Sequence, residues 1–453
     1  MALTVDEKGI LATASGDSVN AGTRRALRQI SQQRWLAPRN RYRVSAIKKI
    51  ETDYKAGTLN SRQLTDYVAV STPLHCCDGW AYLGRAIGCH LHGDPDSARH
   101  LAYYAELRAT MAILASQGVA ILDRSHFIIN SDGKAILLKH GSTHQVAWEV
   151  LEAWAELNPA ADFLGEVLVP GGQPLNQWVM AMPKGGSWQP IAKDWLLKLG
   201  LDLEFLTSDR QARNESSYRP TRLNRRISLT SEEAAKAARE IWGLLEPSPS
   251  LSFNEIDRYL LRLTLETAFR ATEGSSPSQN RRRFAEIVNS VVEANIVGAD
   301  KPLWTQFLER KIKPADPEII DLIRLSRRNI VSKLADRQIR SPNHHLSVMA
   351  RALLLLRLAS GSTRRMFDNV GIKFDDLSFW WHPYGTERGL WQVPPAAEHI
   401  ADGWASMRED LDDIDEWLDS VTAGTYHELL SKMPSLLTSL TNLEMVGLWS
   451  LAS

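Results

Sequence analysis

The residues with the greatest chemical capacity crowd between positions 75 and 92, as His75-Cys76-Cys77 and then Cys89-His90-Leu91-His92. Thiolates and imidazoles are the natural ligands of zinc. If 75–92 is one helix, however, Cys77 and Cys89 stand roughly 18 Å apart at 1.5 Å per residue, too far to share an ion. These side chains read as small buried hydrophobes, and neither a metal nor another cofactor is expected. Carboxylates concentrate at Glu409–Asp419, but Leu411, Ile414, Leu418 and Val421 recur there at helical spacing, so the acids form a solvated face. Such a face could also meet a basic partner or the chain's own basic segments. Asp132, Lys134 and Lys139 resemble fragments of a metal-dependent nuclease, yet no acid-x-Lys pair follows and Asp132 belongs to a turn. No Gly-x-x-x-x-Gly-Lys, Gly-x-Gly-x-x-Gly, His-Glu-x-x-His or Gly-x-Ser-x-Gly occurs, which removes the familiar phosphate cradles, zinc proteases and serine hydrolases.

Charge placement is more informative. The 53 basic and 53 acidic residues cancel, so no global field draws the chain to nucleic acid or membrane, and any attraction is local. Arg24, Arg25, Arg28, Arg34, Arg39, Arg41, Arg43, Lys48 and Lys49 lie in a stretch with no acid between Asp17 and Glu51, interleaved with Trp35 and Tyr42. A second basic segment carries Arg210, Arg213, Arg219, Arg222, Arg225 and Arg226 against Asp209 and Glu215. Arginine's planar fork suits phosphate, so the expected partners are nucleic acid, DNA or RNA, and further protein subunits.

The elements that must hold these residues are helices. Ser97–Ala115 has its few polar residues Arg99, Glu106 and Thr110 on one stripe, so it is a helix covered on almost every side. Helices are predicted at 22–34, 42–55, 60–70 and 75–92, and again over 144–207. Asn130-Ser131-Asp132-Gly133 between two short apolar runs predicts a β-hairpin. Residues 209–229 lack apolar periodicity and form the predicted linker between domains 1–208 and 230–453. Thr230-Ser-Glu-Glu starts a capped helix, with others at 253–271, 280–295, 302–312, 317–338 and 343–359. Ser378-Phe-Trp-Trp-His, Pro383–Gly389 and Leu390-Trp-Gln-Val suggest a second hairpin. Three helices near 396–421, 424–432 and 435–450 close a mainly α, two-domain, multi-helical protein with two small β-hairpins.

The N-terminal residues lack a basic-then-apolar signal pattern, no 18-residue apolar run occurs, and three cysteines are too few for a disulfide framework. A reduced, cytoplasmic protein with no membrane contact is the expectation.

Ala98-Arg-His-Leu-Ala-Tyr-Tyr-Ala-Glu-Leu-Arg-Ala-Thr-Met-Ala-Ile-Leu-Ala, followed by Gln117-Gly118 and His126, resembles HEPN-type helical domains of prokaryotes over about residues 60–160. The resemblance implies a bacterial multi-protein system such as antiviral defence. Many HEPN proteins are metal-independent ribonucleases with four to six residues between an Arg and a following His. The chemistry needs a cation to stabilise a phosphorane-like transition state and an imidazole for proton transfer. Arg85 with His90 or His92 has that spacing inside the resembling stretch. The best placed match is Arg340 with His345, because Ser341-Pro342 starts a helix and leaves Arg340 at its N-terminus, a setting suited to phosphate. His345 falls on the apolar stripe of Met349, Ala352 and Leu356, which makes it a core histidine unless catalysis claims it. The leading reading is a non-catalytic helical subunit that binds nucleic acid or partner proteins. The alternatives are a ribonuclease using Arg340 and His345, and a pure protein scaffold.

Overall fold

The computed structural model describes residues 2–183, 188–192, 230–248, 252–309, 344–420, 424–432 and 434–452. It is mainly α-helical, as the periodicity predicts. Short helices α1 (Val5–Leu11) and α2 (Gly16–Ile30) precede α3 (Ala46–Lys55), α4 (Ser61–Leu91) and α5 (Pro95–Ser116). A three-stranded antiparallel sheet follows, β1 (Val119–Ala120), β2 (Ser125–Ile129) and β3 (Ala135–His140), in the order β1-β2-β3. Then come α6 (Thr143–Ala155), α7 (Asn158–Val167) and α8 (Leu175–Met180). Past the undescribed 193–229 stand α9 (Ser231–Gly243), a small pair β4 (Pro247–Ser248) and β5 (Ser252–Phe253), α10 (Asn254–Glu273), α11 (Arg281–Asn295) and α12 (Lys301–Glu309). The last part holds α13 (His345–Asp368), α14 (Ser378–Arg388), α15 (Gly403–Ser420), α16 (Tyr426–Lys432), α17 (Pro434–Thr441) and α18 (Glu444–Ala452).

The centre of the molecule is α4 and α5 with α13 laid against both. Contacts fix the directions. His90 meets His345 while Cys76 and Trp80 meet Ser360, so α13 runs antiparallel to α4. Glu106 meets Arg351 and Ser116 meets Ser362, so it runs parallel to α5. The stripe of Arg99, Glu106 and Thr110 that the sequence offers to solvent is covered: Glu106 and Thr110 are fully buried, and Arg351 reaches Glu106 at 3.3 Å. A second buried pair joins Arg357 of α13 to Asp257 of α10 at 2.7 Å. Helices from both sides of residues 209–229 therefore share one continuous apolar core. Among the described residues, six tryptophans, Trp80, Trp148, Trp178, Trp242, Trp381 and Trp449, are fully buried within it. By length and hydropathy α13 could cross a membrane, but its apolar window is 94% buried inside the molecule.

Close packing around α4 depends on missing side chains. A Cβ on Gly84 would stand 2.1 Å from the Thr441 carbonyl oxygen, and one on Gly79 would stand 2.6 Å from Leu356 Cδ2. On α13, Gly361 lies equally close to the Val167 backbone. Such approaches admit only glycine.

Two expectations need correction. The helices read at 60–70 and 75–92 are one: α4 runs straight through Pro73. Proline removes one helical hydrogen bond there, and burial of Thr72, Pro73, Cys76 and Cys77 against neighbouring helices outweighs that loss. The hairpin read at 378–393 is helix α14, with Pro383 inside it and Gly389 at φ 72° closing its C-terminus. Its aromatics pack at helical spacing instead of alternating: Trp381 stacks on Phe374 at 4.8 Å, and Trp391 folds back over Gly385. The hairpin at Asn130–Gly133 forms as read, with Gly133 at φ 71° and the Asn130 side chain accepting from Lys134 N. The helix predicted at 317–338 lies outside the described residues.

Candidate nucleic-acid interface

The acid-free stretch 24–49 is built from α2, a connecting loop, a single 3-10 turn at Arg41–Arg43 and the start of α3. It is fastened to the first two turns of α4. From α2, Arg25 reaches Asp66 at 2.6 Å. From the loop, Asn40 Nδ2 donates to the Gln63 carbonyl at 3.1 Å, and the Arg41 amide donates to Gln63 Oε1 at 3.0 Å. Gln63 and Asp66 are three residues apart on one helix, hence neighbours on one face, so both arms of the basic segment converge there. Tyr42 is the keystone: fully buried, its hydroxyl donates to Asp53 at 3.0 Å and accepts from the Asn60 amide.

This framework decides which charges are spent internally. Arg25 is matched by Asp66, and Arg41 lies 3.2 Å from Asp53. Burial pushes the Asp66 carboxyl up, while Arg25 and Arg62 beside it pull it down. Arg34 binds the side-chain amides of Gln29 and Gln32, which leaves its charge uncompensated. Arg24, Arg28, Arg39, Arg43, Lys48 and Lys49 are exposed, and among the described residues no carboxylate pairs with them. Arg24 and Arg28 stand four apart on one stripe of α2. Arg62, also exposed, joins this side of the molecule. Sequence reasoning missed it because it lies beyond Glu51, outside the acid-free stretch.

The interleaved aromatics have structural tasks. Trp35 packs edge-on against Phe379 and Trp380 of α14, with centroids 5.6 and 5.4 Å away, and Tyr42 is inaccessible. The face therefore offers cations rather than stacking platforms, a composition suited to anions rather than to base stacking. The acidic helix does not neutralise it. Asp415 on α15 grips Arg239 of α9 at 2.8 Å, and Arg408 pairs with Glu246.

His345 is 1% exposed, its Nε2 2.9 Å from His90 Nδ1. Burial depresses the His90 imidazole to about 4, so it stays neutral near pH 7. His344 is also buried and caps α13 by accepting from the Leu346 amide. Arg340 lies outside the described residues, as do Arg219, Arg222, Arg225 and Arg226. Cys76 and Cys77 are buried, and burial raises Cys76 to about 11, so the thiols remain protonated. No three metal-ligating side chains converge among the described residues. Searches of protein-family models, curated proteins and solved structures return no match for this chain.

Proposed function

We propose that this chain is a non-catalytic helical subunit that binds nucleic acid through the basic face of residues 24–49, as part of a prokaryotic multi-protein assembly. The observation that carries the reading is that six cations on a rigidly fastened segment stand exposed with no carboxylate partner among the described residues, while the two best-paired arginines, Arg25 and Arg41, serve the framework. The place in an assembly, with antiviral defence as its setting, rests on the HEPN resemblance and on fold analogy. In the ribonuclease alternative His345 would have to leave a contact with His90 that uses its Nε2 within the core.

Binding of labelled single- and double-stranded DNA and RNA as a function of salt tests the proposal. Six phosphate contacts give a log–log slope of about −5 on duplex DNA, and a fall of about three decades in affinity between 50 and 200 mM salt. Converting Arg24 and Arg28 to Glu should flatten that slope, whereas Arg25→Gln should alter stability more than the slope. Absence of binding at 50 mM salt, or a slope indifferent to Arg24 and Arg28, would leave the protein-scaffold reading. RNA cleavage by wild type that is lost in the Arg340→Ala, His345→Ala pair would instead establish the ribonuclease.

A further inference from the structure

On α14, Trp380, Tyr384 and Arg388 stand four apart and so fall on one stripe. Trp380 and Tyr384 stack with centroids 5.9 Å apart and planes 29° from parallel, and the Arg388 guanidinium carbon lies 5.6 Å from the Tyr384 centroid. A second ladder of the same make crosses from α5 to α4: Tyr104 stacks on Tyr82 at 5.4 Å, and the Arg85 guanidinium carbon lies 5.5 Å from the Tyr82 centroid. Each ladder ends in an exposed arginine that forms no ion pair with a carboxylate among the described residues. The two ends come together beside Asp78 and the buried Glu444: burial pushes both carboxyls up, and Arg85 and Arg388 pull both down. Arg108 closes the group, donating to His75 Nδ1 at 2.9 Å and lying 3.6 Å from Asp78. The first ladder begins at the basic segment itself, because Trp35 packs on Trp380.

We infer that this patch receives a single-stranded segment of nucleic acid, with bases stacked on the guanidinium planes of Arg85 and Arg388 where the two ladders end. The inference rests on the nucleic-acid reading above and narrows it to a strand with unpaired bases. A guanidinium lying over a tyrosine ring is a planar cation: its outer face takes a flat base, and its N–H edge takes a phosphate. In a duplex both faces of a base pair are already stacked on neighbours, so only an unpaired strand can use such planes. An acidic peptide would use the charge and leave the planes idle. Cations interleaved with stacking surfaces are the common composition of sites for single strands, and stacking tolerates any sequence because every base has a flat face. Trp35 joins the patch to the cations of 24–49, so a duplex held on that face can pass an unpaired tail directly to it.

Fluorescence anisotropy of the full chain tests the inference with a labelled duplex that is either blunt or carries a tail of about a dozen unpaired nucleotides. A third probe carries the same tail with its bases removed. The tail with bases should tighten binding by about tenfold or more over the blunt duplex, and the abasic tail should recover little of that gain. The Arg85→Lys, Arg388→Lys double variant keeps both charges and replaces each plane by a point charge. It should lose most of the gain while blunt-duplex affinity and its salt slope stay as in wild type. Both side chains are exposed, and the thermal midpoint of the variant reports its folding. No gain from the tail, an equal gain from the abasic tail, or a full gain in the lysine variant would overturn the inference and leave duplex binding by the basic face intact. Tailed-probe binding without blunt-duplex binding would support the patch and overturn the basic-face reading instead. Tighter binding of polyglutamate than of the tailed probe would overturn the inference in favour of an acidic peptide.

Discussion

The buried ion pair between α10 and α13 makes the sharpest stability test. Arg357 Nε and Nη2 donate to the two carboxylate oxygens of Asp257 at 2.7 and 2.9 Å, and the two side chains are 4% and 1% exposed. Asp257 also accepts from the Phe253 amide at 3.2 Å, and the Phe253 ring lies 5.5 Å from the Arg357 guanidinium carbon. Asp257→Ala strips the guanidinium of its partner without giving it access to water. Removing one member of such a pair costs about 3–5 kcal/mol, and the lost bond to the Phe253 amide adds about 1 kcal/mol. The Asp257→Val, Arg357→Met double variant removes both charges and nearly keeps the combined volume, so it should return to within about 2 kcal/mol of wild type. Urea unfolding followed by the fluorescence of the fifteen tryptophans reads both values. A cost below about 1 kcal/mol for Asp257→Ala would refute the argument, as would a double variant no better than the single one.

Three further outcomes follow from the packing. Gly84→Ala and Gly361→Ala each drive a methyl group to about 2 Å of a backbone carbonyl, so each should cost about 1–3 kcal/mol or more, while Gly133→Ala, in open space, should show only the strain of its φ of 71°; comparable losses at all three in thermal melts would contradict this. A fragment of residues 1–208 leaves bare the α4–α5 surface that α13 covers, and it should aggregate or unfold without cooperativity; a soluble monomer with a sharp melting transition would show that those helices need no partner from the C-terminal half. His90 is held neutral, its folded value of about 4 lying below the unfolded one of about 6.5. The unfolded chain then binds the extra proton, so this contribution to stability is complete above pH 6.5 and is lost as pH falls toward 4. At pH 5 the loss is about 2 kcal/mol, and His90→Gln should lose less between pH 7.5 and 5 than wild type does.

What could be read in advance was what a short window contains. The near-continuous apolar surface of 97–115, the Asn-Ser-Asp-Gly turn and the capping box at Thr230 with Glu233 all depend on neighbours within a few residues, and all three appear in the fold. The basic stretch was legible as composition, but its division into framework and free cations was not. That division depends on Asp53 and Asp66, which follow the stretch and fold back onto it. The errors share a cause. Pro73 and the aromatic run at 378–391 carry strong local signals that contacts outside the window override: α13 covers α4 beside Pro73, and Trp35 packs on Phe379 and Trp380.

The position of α13 also bears on how the chain is made. About 230 residues separate the end of α5 from the start of the helix that covers it. At a synthesis rate of roughly 5–20 residues per second, the ribosome needs on the order of 10–50 s to deliver that cover. Throughout that interval the nascent α4–α5 pair carries uncapped grease and a carboxylate, Glu106, still awaiting Arg351. Translation speed and chaperone occupancy over this window should therefore govern the yield of active protein more strongly than the equilibrium stability of the finished fold.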